Sequence, residues 1–193
     1  MEIDLYREEY KRTIVPYAEN KPRITIDDDK ISEINNLVNE IVKAKLSEAH
    51  HKCDHGSEYK RFYTGLLGEA AMEKYFGIDI IDKTVGDSKK YNVADLSSIG
   101  LNIGIKTVEI WKFPIVHKVV ERPELINIRR DDKTVVFFGY ATREVLSKYQ
   151  DDSFILSNAL RARGTKSAFW GFSELIPIKT LEELIQIYNK YDK

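Results

Sequence analysis

Cysteine, proline and long apolar runs are what this chain of 193 residues has least of. Its one cysteine, Cys53, excludes an internal disulfide and fits a reducing compartment, so a cytoplasmic location is expected. Five prolines and ten glycines are too few and too scattered to mark a linker. That predicts a single domain over residues 1–193, with residues 1–26 as a peripheral N-terminal arm. No stretch approaches the ~20 apolar residues that span a bilayer, and Met1 to Glu9 holds no signal-like apolar run, so no membrane partner is expected. An excess of either charge is also missing, since the net charge is −1. Its distribution is uneven, however. Residues 1–101 carry 15 Lys and Arg against 19 Asp and Glu, and residues 102–166 carry 12 against 8. An acidic half beside a basic stretch suits a protein that holds a cation on one side and a polyanion on the other. An ordinary solvated surface would read the same way.

What is present is a globular composition, 42% hydrophobic and 32% charged, with helical and extended patterns in alternation. Arg23 to Ile26 reads as an edge strand. An apolar stripe of Ile31, Ile34, Leu37, Val38, Ile41, Val42 and Leu46 predicts a helix over 29–49, capped by Asp27 or Asp28. A polar segment, His50 to Ser57, breaks the pattern before a second helix over 58–76 that Gly77 stops. Extended segments are expected at 78–81, 91–96 and 101–111, and at Lys133 to Tyr140, the strongest buried-strand pattern in the chain. A short helix over 142–149, an extended segment over 169–177 and an amphipathic helix over 181–191 complete the series. The fold class predicted is α/β, a mixed central sheet of four or more strands flanked by helices.

Three residues stand out chemically. Glu69 lies on a mostly apolar face of the second helix, near Leu66, Met72, Phe62 and Phe76, where a carboxylate is costly unless paired or bound to a cation. Pairing with a lysine at the boundary would equally explain it. Asp95 ends the 91–96 segment, and Lys106 shares a strand face with Gly104 and Asn102. A helix glutamate, a strand-end aspartate and a lysine on the next strand are the parts of a hydrolytic metal site. The carboxylates would hold Mg²⁺ or Mn²⁺ and the lysine would balance charge. The cluster of His50, His51, Cys53 and His55 lacks complete zinc-site spacing and reads as a polar helix end. Arg161, Arg163 and Lys166, beside Phe169 and Trp170, are candidates for a phosphate-binding edge or for a solvated turn before a strand.

The pieces G-L-L-G-E-A-A on the helix, V-A-D-L at a strand end and I-G-I-K-T-V on the next strand resemble the PD-(D/E)XK, or restriction-endonuclease-like, nuclease superfamily. The resemblance covers residues 58–112, with 133–140 and 142–149 fitting later elements. It implies a Mg²⁺-dependent deoxyribonuclease, a phosphodiester hydrolase and most naturally an endonuclease, with DNA as partner and a homodimer possible. It also implies that Glu69 and Asp95 bind metal and that Lys106 assists water. The departure is Gly104, which stands where the family carries its second strand acid. Glu69 is the preferred substitute, with Glu109 and Asp87 as alternatives. The competing expectation is a non-catalytic nucleic-acid-binding or inhibitor module on a decayed nuclease scaffold.

Overall fold

The computed structural model describes residues 3–46, 55–85 and 93–193. A four-stranded mixed sheet divides two apolar cores. Its strands are β1 (Arg23–Thr25), β2 (Gly104–Glu109), β4 (Glu124–Arg129) and β5 (Thr134–Ala141), in the order β1-β5-β4-β2. β5 runs antiparallel to both β1 and β4, and β2 runs parallel to β4 at one edge. A smaller antiparallel sheet orders β3 (Ile115–His117), β7 (Lys166–Phe169) and β6 (Gln150–Asp151) as β3-β7-β6. The helices are α1 (Ile3–Thr13), α2 (Asp28–Leu46), α3 (His55–Phe76), α4 (Arg143–Lys148), α5 (Asn158–Ala162) and α6 (Leu181–Tyr191). Among the described residues no helix is long and apolar enough to cross a membrane.

Alternation along β5 builds both cores at once. Val135 and Phe137 face the core shared with α2 and α3, whereas Val136 and Phe138 face the core shared with α1 and the small sheet. The register between β4 and β5 then shifts, from Asn127 opposite Phe137 to Ile126 opposite Gly139, leaving Phe138 as the extra residue of a bulge. One inserted residue reverses the parity. Tyr140 therefore returns to the α2/α3 side, where its hydroxyl donates to the Asp192 carboxylate at the end of α6. The N-terminal segment does more than lie on the periphery: Tyr6, Tyr10 and Ile14 are buried in the second core, and Tyr6 and Tyr10 pack edge-on against Phe113.

Most expected helices form for the reasons their sequences give. α3 ends where Gly77 takes a φ of +68°, with the N–H groups of Gly77 and Ile78 both returning to the Glu73 carbonyl. Thr142 and Thr180 cap α4 and α6 through their hydroxyls. Three expected extended segments do not form as strands; of residues 169–177, only Phe169 belongs to a strand, the end of β7, and Phe172–Glu174 turn into a 3-10 helix. Residues 78–81 run outside any ladder because their N–H groups at Ile80 and Ile81 are taken by the buried Glu73 carboxylate. Asp95 lies in a turn, not a strand, because the chain there folds back on itself: Leu96 N–H reaches the Ile103 carbonyl, and Gly100 adopts a φ of +79°. The segment expected over 101–111 is a strand only over β2. β3 and the central strand β4 lay outside the sequence expectations.

Gly68 sets the distance between α3 and β2. A Cβ there would lie 1.7 Å from the Thr107 hydroxyl and 2.7 Å from its Cβ, so rotating the threonine would not clear it. Gly65, three residues earlier, has open space. Helix propensity alone favours alanine over glycine by about 1 kcal/mol. We expect Gly65→Ala to stabilise the protein by roughly 0.5–1 kcal/mol and Gly68→Ala to destabilise it by about 1–3 kcal/mol through overpacking. Urea unfolding of the pair checks this; equal responses would mean that α3 does not press on β2 at Gly68.

Candidate metal and phosphate site

The site grows from the free edge of β2. Strand β4 covers one side of β2, and the turn carrying Asp95 covers part of the other. The Asp95 carboxylate accepts the Ile105 N–H, satisfying a donor that an edge strand would leave open. That bond fixes the acid beside the strand that carries Lys106. On β2, Gly104 and Lys106 project to one face, and Gly104 is aligned with Glu124 at the start of β4.

Glu124 supplies what the sequence lacked at position 104. A Cβ on Gly104 would lie 2.3 Å from Glu124 Oε2 and 2.8 Å from its carboxyl carbon. The Glu124 carboxylate thus occupies the volume that an acid at 104 would need. Asp95, Gly104, Lys106, His117, Arg122 and Glu124 line one cleft of about 430 Å³. Burial pushes the Glu124 carboxyl up, the negative charge of Asp95 adds to the rise, and Lys106, Arg122 and Lys166 oppose it. Burial also raises Asp95, against the Ile105 N–H and the Lys106 and Arg122 charges. Lys106 makes no hydrogen bond or ion pair with the described residues, which leaves its ammonium to the cleft.

Glu69 approaches from the opposite side of the sheet. It lines a separate recess of about 580 Å³ with Asp79, Asp82 and Asp95. Burial, followed by the charges of Asp95, Glu73 and Asp82, pushes its carboxyl up to about 8. Asp95 therefore borders both recesses, with Glu69 on one side and Glu124 on the other. No described residue gives Glu69 a hydrogen bond or ion pair. The lysine at this boundary instead serves its neighbour: Lys30 pairs with Glu73 at 2.8 Å.

The other candidates separate. Glu109 is taken by Lys60 at 2.7 Å and by Lys112, which hold its carboxyl below the usual range and away from Lys106 on the opposite strand face. Asp87 and the segment with His50, His51 and Cys53 lie outside the described residues. The Arg161 guanidinium, on α5, donates back to the Ile155 carbonyl before that helix, and Arg163 is exposed next to the turn. Lys166 is half-buried and within electrostatic reach of Lys106 and Glu124. Glu124, His117 and Arg122 were missed from the sequence. The available signal for Glu124 was Leu125, Ile126 and Ile128 directly after it, an apolar pattern interrupted by Asn127.

Among the described residues no three His, Cys, Asp or Glu side chains converge on one point as a ready metal cage. A pair of carboxylates is still the protein share that Mg²⁺ takes when waters and phosphate oxygens complete its shell. Scans against family models and searches of curated proteins and of solved structures find no match for this chain.

The Glu69 shift has a stability consequence. Its folded-state pKa is raised above the ordinary value of 4.5, so the native state prefers the protonated acid. The associated stability is present below about pH 4.5 and is lost as pH rises through about 8. We expect Glu69→Gln to raise the Tm of the metal-free protein at pH 8.5 by several degrees, for at least about 1 kcal/mol. At pH 4 it should change Tm little. Calorimetry at the two pH values checks this, and an equal effect at both would remove the like-charge account.

Proposed function

We propose that this chain is a Mg²⁺- or Mn²⁺-dependent deoxyribonuclease of restriction-endonuclease-like type, with its reaction centre at Asp95, Glu124 and Lys106. The observation that carries the proposal is the Glu124 carboxylate standing over Gly104. It supplies, from the neighbouring strand, the acid whose absence at 104 was the departure from the nuclease pattern. The donor set fits a hard divalent cation, because both acids offer only oxygen and both are raised by burial, a rise that a bound cation reverses. Asp95 and Glu124 would hold the ion, and Glu69 would add negative charge behind Asp95 from the second recess.

When bound, the divalent cation neutralises charge on the phosphate and eases deprotonation of water near neutral pH. The protein's own groups do the rest. Asp95 is held in place by the Ile105 N–H, which fixes one carboxylate oxygen at the edge of the cleft. Lys106, which forms no hydrogen bond or ion pair with a described residue, offers its ammonium to a phosphate oxygen or to the attacking water. The cluster of Lys106, Arg122 and Lys166 beside two carboxylates favours an anionic polymer over a neutral substrate. DNA, endonucleolytic cutting and a cytoplasmic setting follow from the resemblance and the single cysteine; a homodimer is an open part of the same reading.

The test is cleavage of plasmid and single-stranded DNA with Mg²⁺ or Mn²⁺ against an EDTA control. Asp95→Ala, Lys106→Ala and Glu124→Ala are each expected to lower the rate at least about a hundredfold, about 2.7 kcal/mol of barrier. Gly104→Asp alone should also inactivate, since it collides with Glu124. The double exchange Gly104→Asp with Glu124→Gly returns an acid to the same space and should recover part of the activity. Cleavage that survives EDTA or the loss of Asp95 would reject the site. DNA binding without any cleavage by the unmodified protein would favour a non-catalytic nucleic-acid-binding module instead.

A further inference from the structure

The small sheet carries a feature that the reaction centre does not use. His117 ends β3 and Lys166 begins β7, and the two are aligned partners across that antiparallel ladder. The Lys166 ammonium contacts the His117 ring at Nε2. Both reach the same charged field as the reaction centre: Lys166 interacts with Lys106, Glu124 and Arg163, and His117 with Lys166, Lys106 and Arg122. One residue along the chain from His117, the same sheet shows how a satisfied lysine looks, because Lys118 is paired with Asp152. Lys166 has a histidine where Lys118 has a carboxylate.

Charge balance makes this arrangement unusual. Lys106 and Lys166 stand with His117 near the carboxylates Asp95 and Glu124, and Glu121 and Arg122 also line the cleft. A divalent cation on Asp95 and Glu124 would take up their charge, leaving the ammonium groups of Lys106 and Lys166 facing one another. Like charges gathered in a partly buried cleft are costly unless an anion joins them. The strain is visible in the groups themselves: burial and the nearby cations push the Lys166 ammonium down to about 8 and lower His117 as well.

Resting on the reading of the cleft as a phosphodiesterase site, we propose that His117 and Lys166 hold a second phosphate, adjacent in the substrate to the one facing Asp95, Glu124 and Lys106. The cleft then takes a polynucleotide with at least two consecutive phosphates and discriminates against a substrate with one. His117 and Lys166 are positioning residues in this account, donating hydrogen bonds to non-reacting phosphate oxygens. The ladder between β3 and β7 makes the pair rigid, which suits a clamp better than the exposed Arg163 at the neighbouring turn.

The experiment uses the full chain with Ca²⁺ in place of Mg²⁺, so that the two carboxylates carry a divalent cation, and the probes are checked to be intact after each titration. Two probes are titrated calorimetrically: a thymidine dinucleotide with a 5′-phosphate, which has two consecutive phosphates, and the same dinucleotide with a 5′-hydroxyl, which has one. The unmodified protein should bind the two-phosphate probe about tenfold more tightly. His117→Ala and Lys166→Ala should each abolish that preference, Lys166→Arg should keep most of it, and Lys112→Ala, at the lysine paired with Glu109 away from the cleft, should leave it in place. A preference that is absent in the unmodified protein, or that persists in both alanine variants with native melting curves, overturns the proposal. Parallel Mg²⁺ cleavage assays separate the two readings. Cleavage without the preference removes the clamp alone, whereas the preference without cleavage upholds the clamp and removes the nuclease.

Discussion

Two side chains compete for one volume at the start of β2 and β4, and the outcome shapes the cleft. The parallel alignment of Gly104 with Glu124 brings both positions to the same face, where only one acid fits. Glycine at 104 gives the space to Glu124. An acid on β2 would sit on the strand that also carries Lys106, whereas Glu124 comes from the inner strand and is more deeply enclosed. Enclosure raises its proton affinity, so the charged form that a cation requires depends on Lys106, Arg122 and Lys166 nearby.

Asp95 is the hinge of this electrostatic arrangement. It caps the open edge of β2 through Ile105 and borders recesses on both sides of the sheet. Together with burial, its charge raises the proton affinity of Glu69 on the α3 side and of Glu124 on the other. Three acids in sequence across a sheet edge cannot all ionise cheaply without positive charge between them. Lys106 provides part of it, on the Glu124 side only. The close approach of α3 at Gly68 is what brings Glu69 near enough to matter, since a wider separation would place its carboxyl in solvent.

The parts of this architecture that were legible in the sequence are those encoded locally. The α3 stop at Gly77, the helices α4 and α6, and the buried β5 pattern follow from short-range chemistry, and each is present. Lys106 on β2 and Asp95 beside it were visible as residues, although the chain delivers Asp95 on a turn held by Leu96 and Ile103. Strand β4 was not legible. It begins directly after Pro123, its apolar residues Leu125, Ile126 and Ile128 face both cores, and the buried Asn127 interrupts the pattern. Missing β4 meant missing Glu124. Alignment of Gly104 with Glu124 depends on a parallel pairing between segments twenty residues apart, and no local pattern encodes such a pairing. Lys166 was visible as a phosphate-binding candidate, but His117 and the pairing between them were hidden for the same reason, since only the ladder of the small sheet joins the two.

The central claim is that Asp95 and Glu124 together hold a divalent cation. Direct titration with Mn²⁺, followed by the paramagnetic signal of the free ion, measures this without any substrate. The account predicts one ion per chain at pH 8. It also predicts that Asp95→Asn and Glu124→Gln each weaken binding about tenfold or more, as expected when one of two carboxylate ligands is removed. Glu109→Gln, on the far strand face, should leave the affinity unchanged. Equal Mn²⁺ affinity in the unmodified protein and in Glu124→Gln would contradict the account, because the carboxylate above Gly104 would then hold no metal.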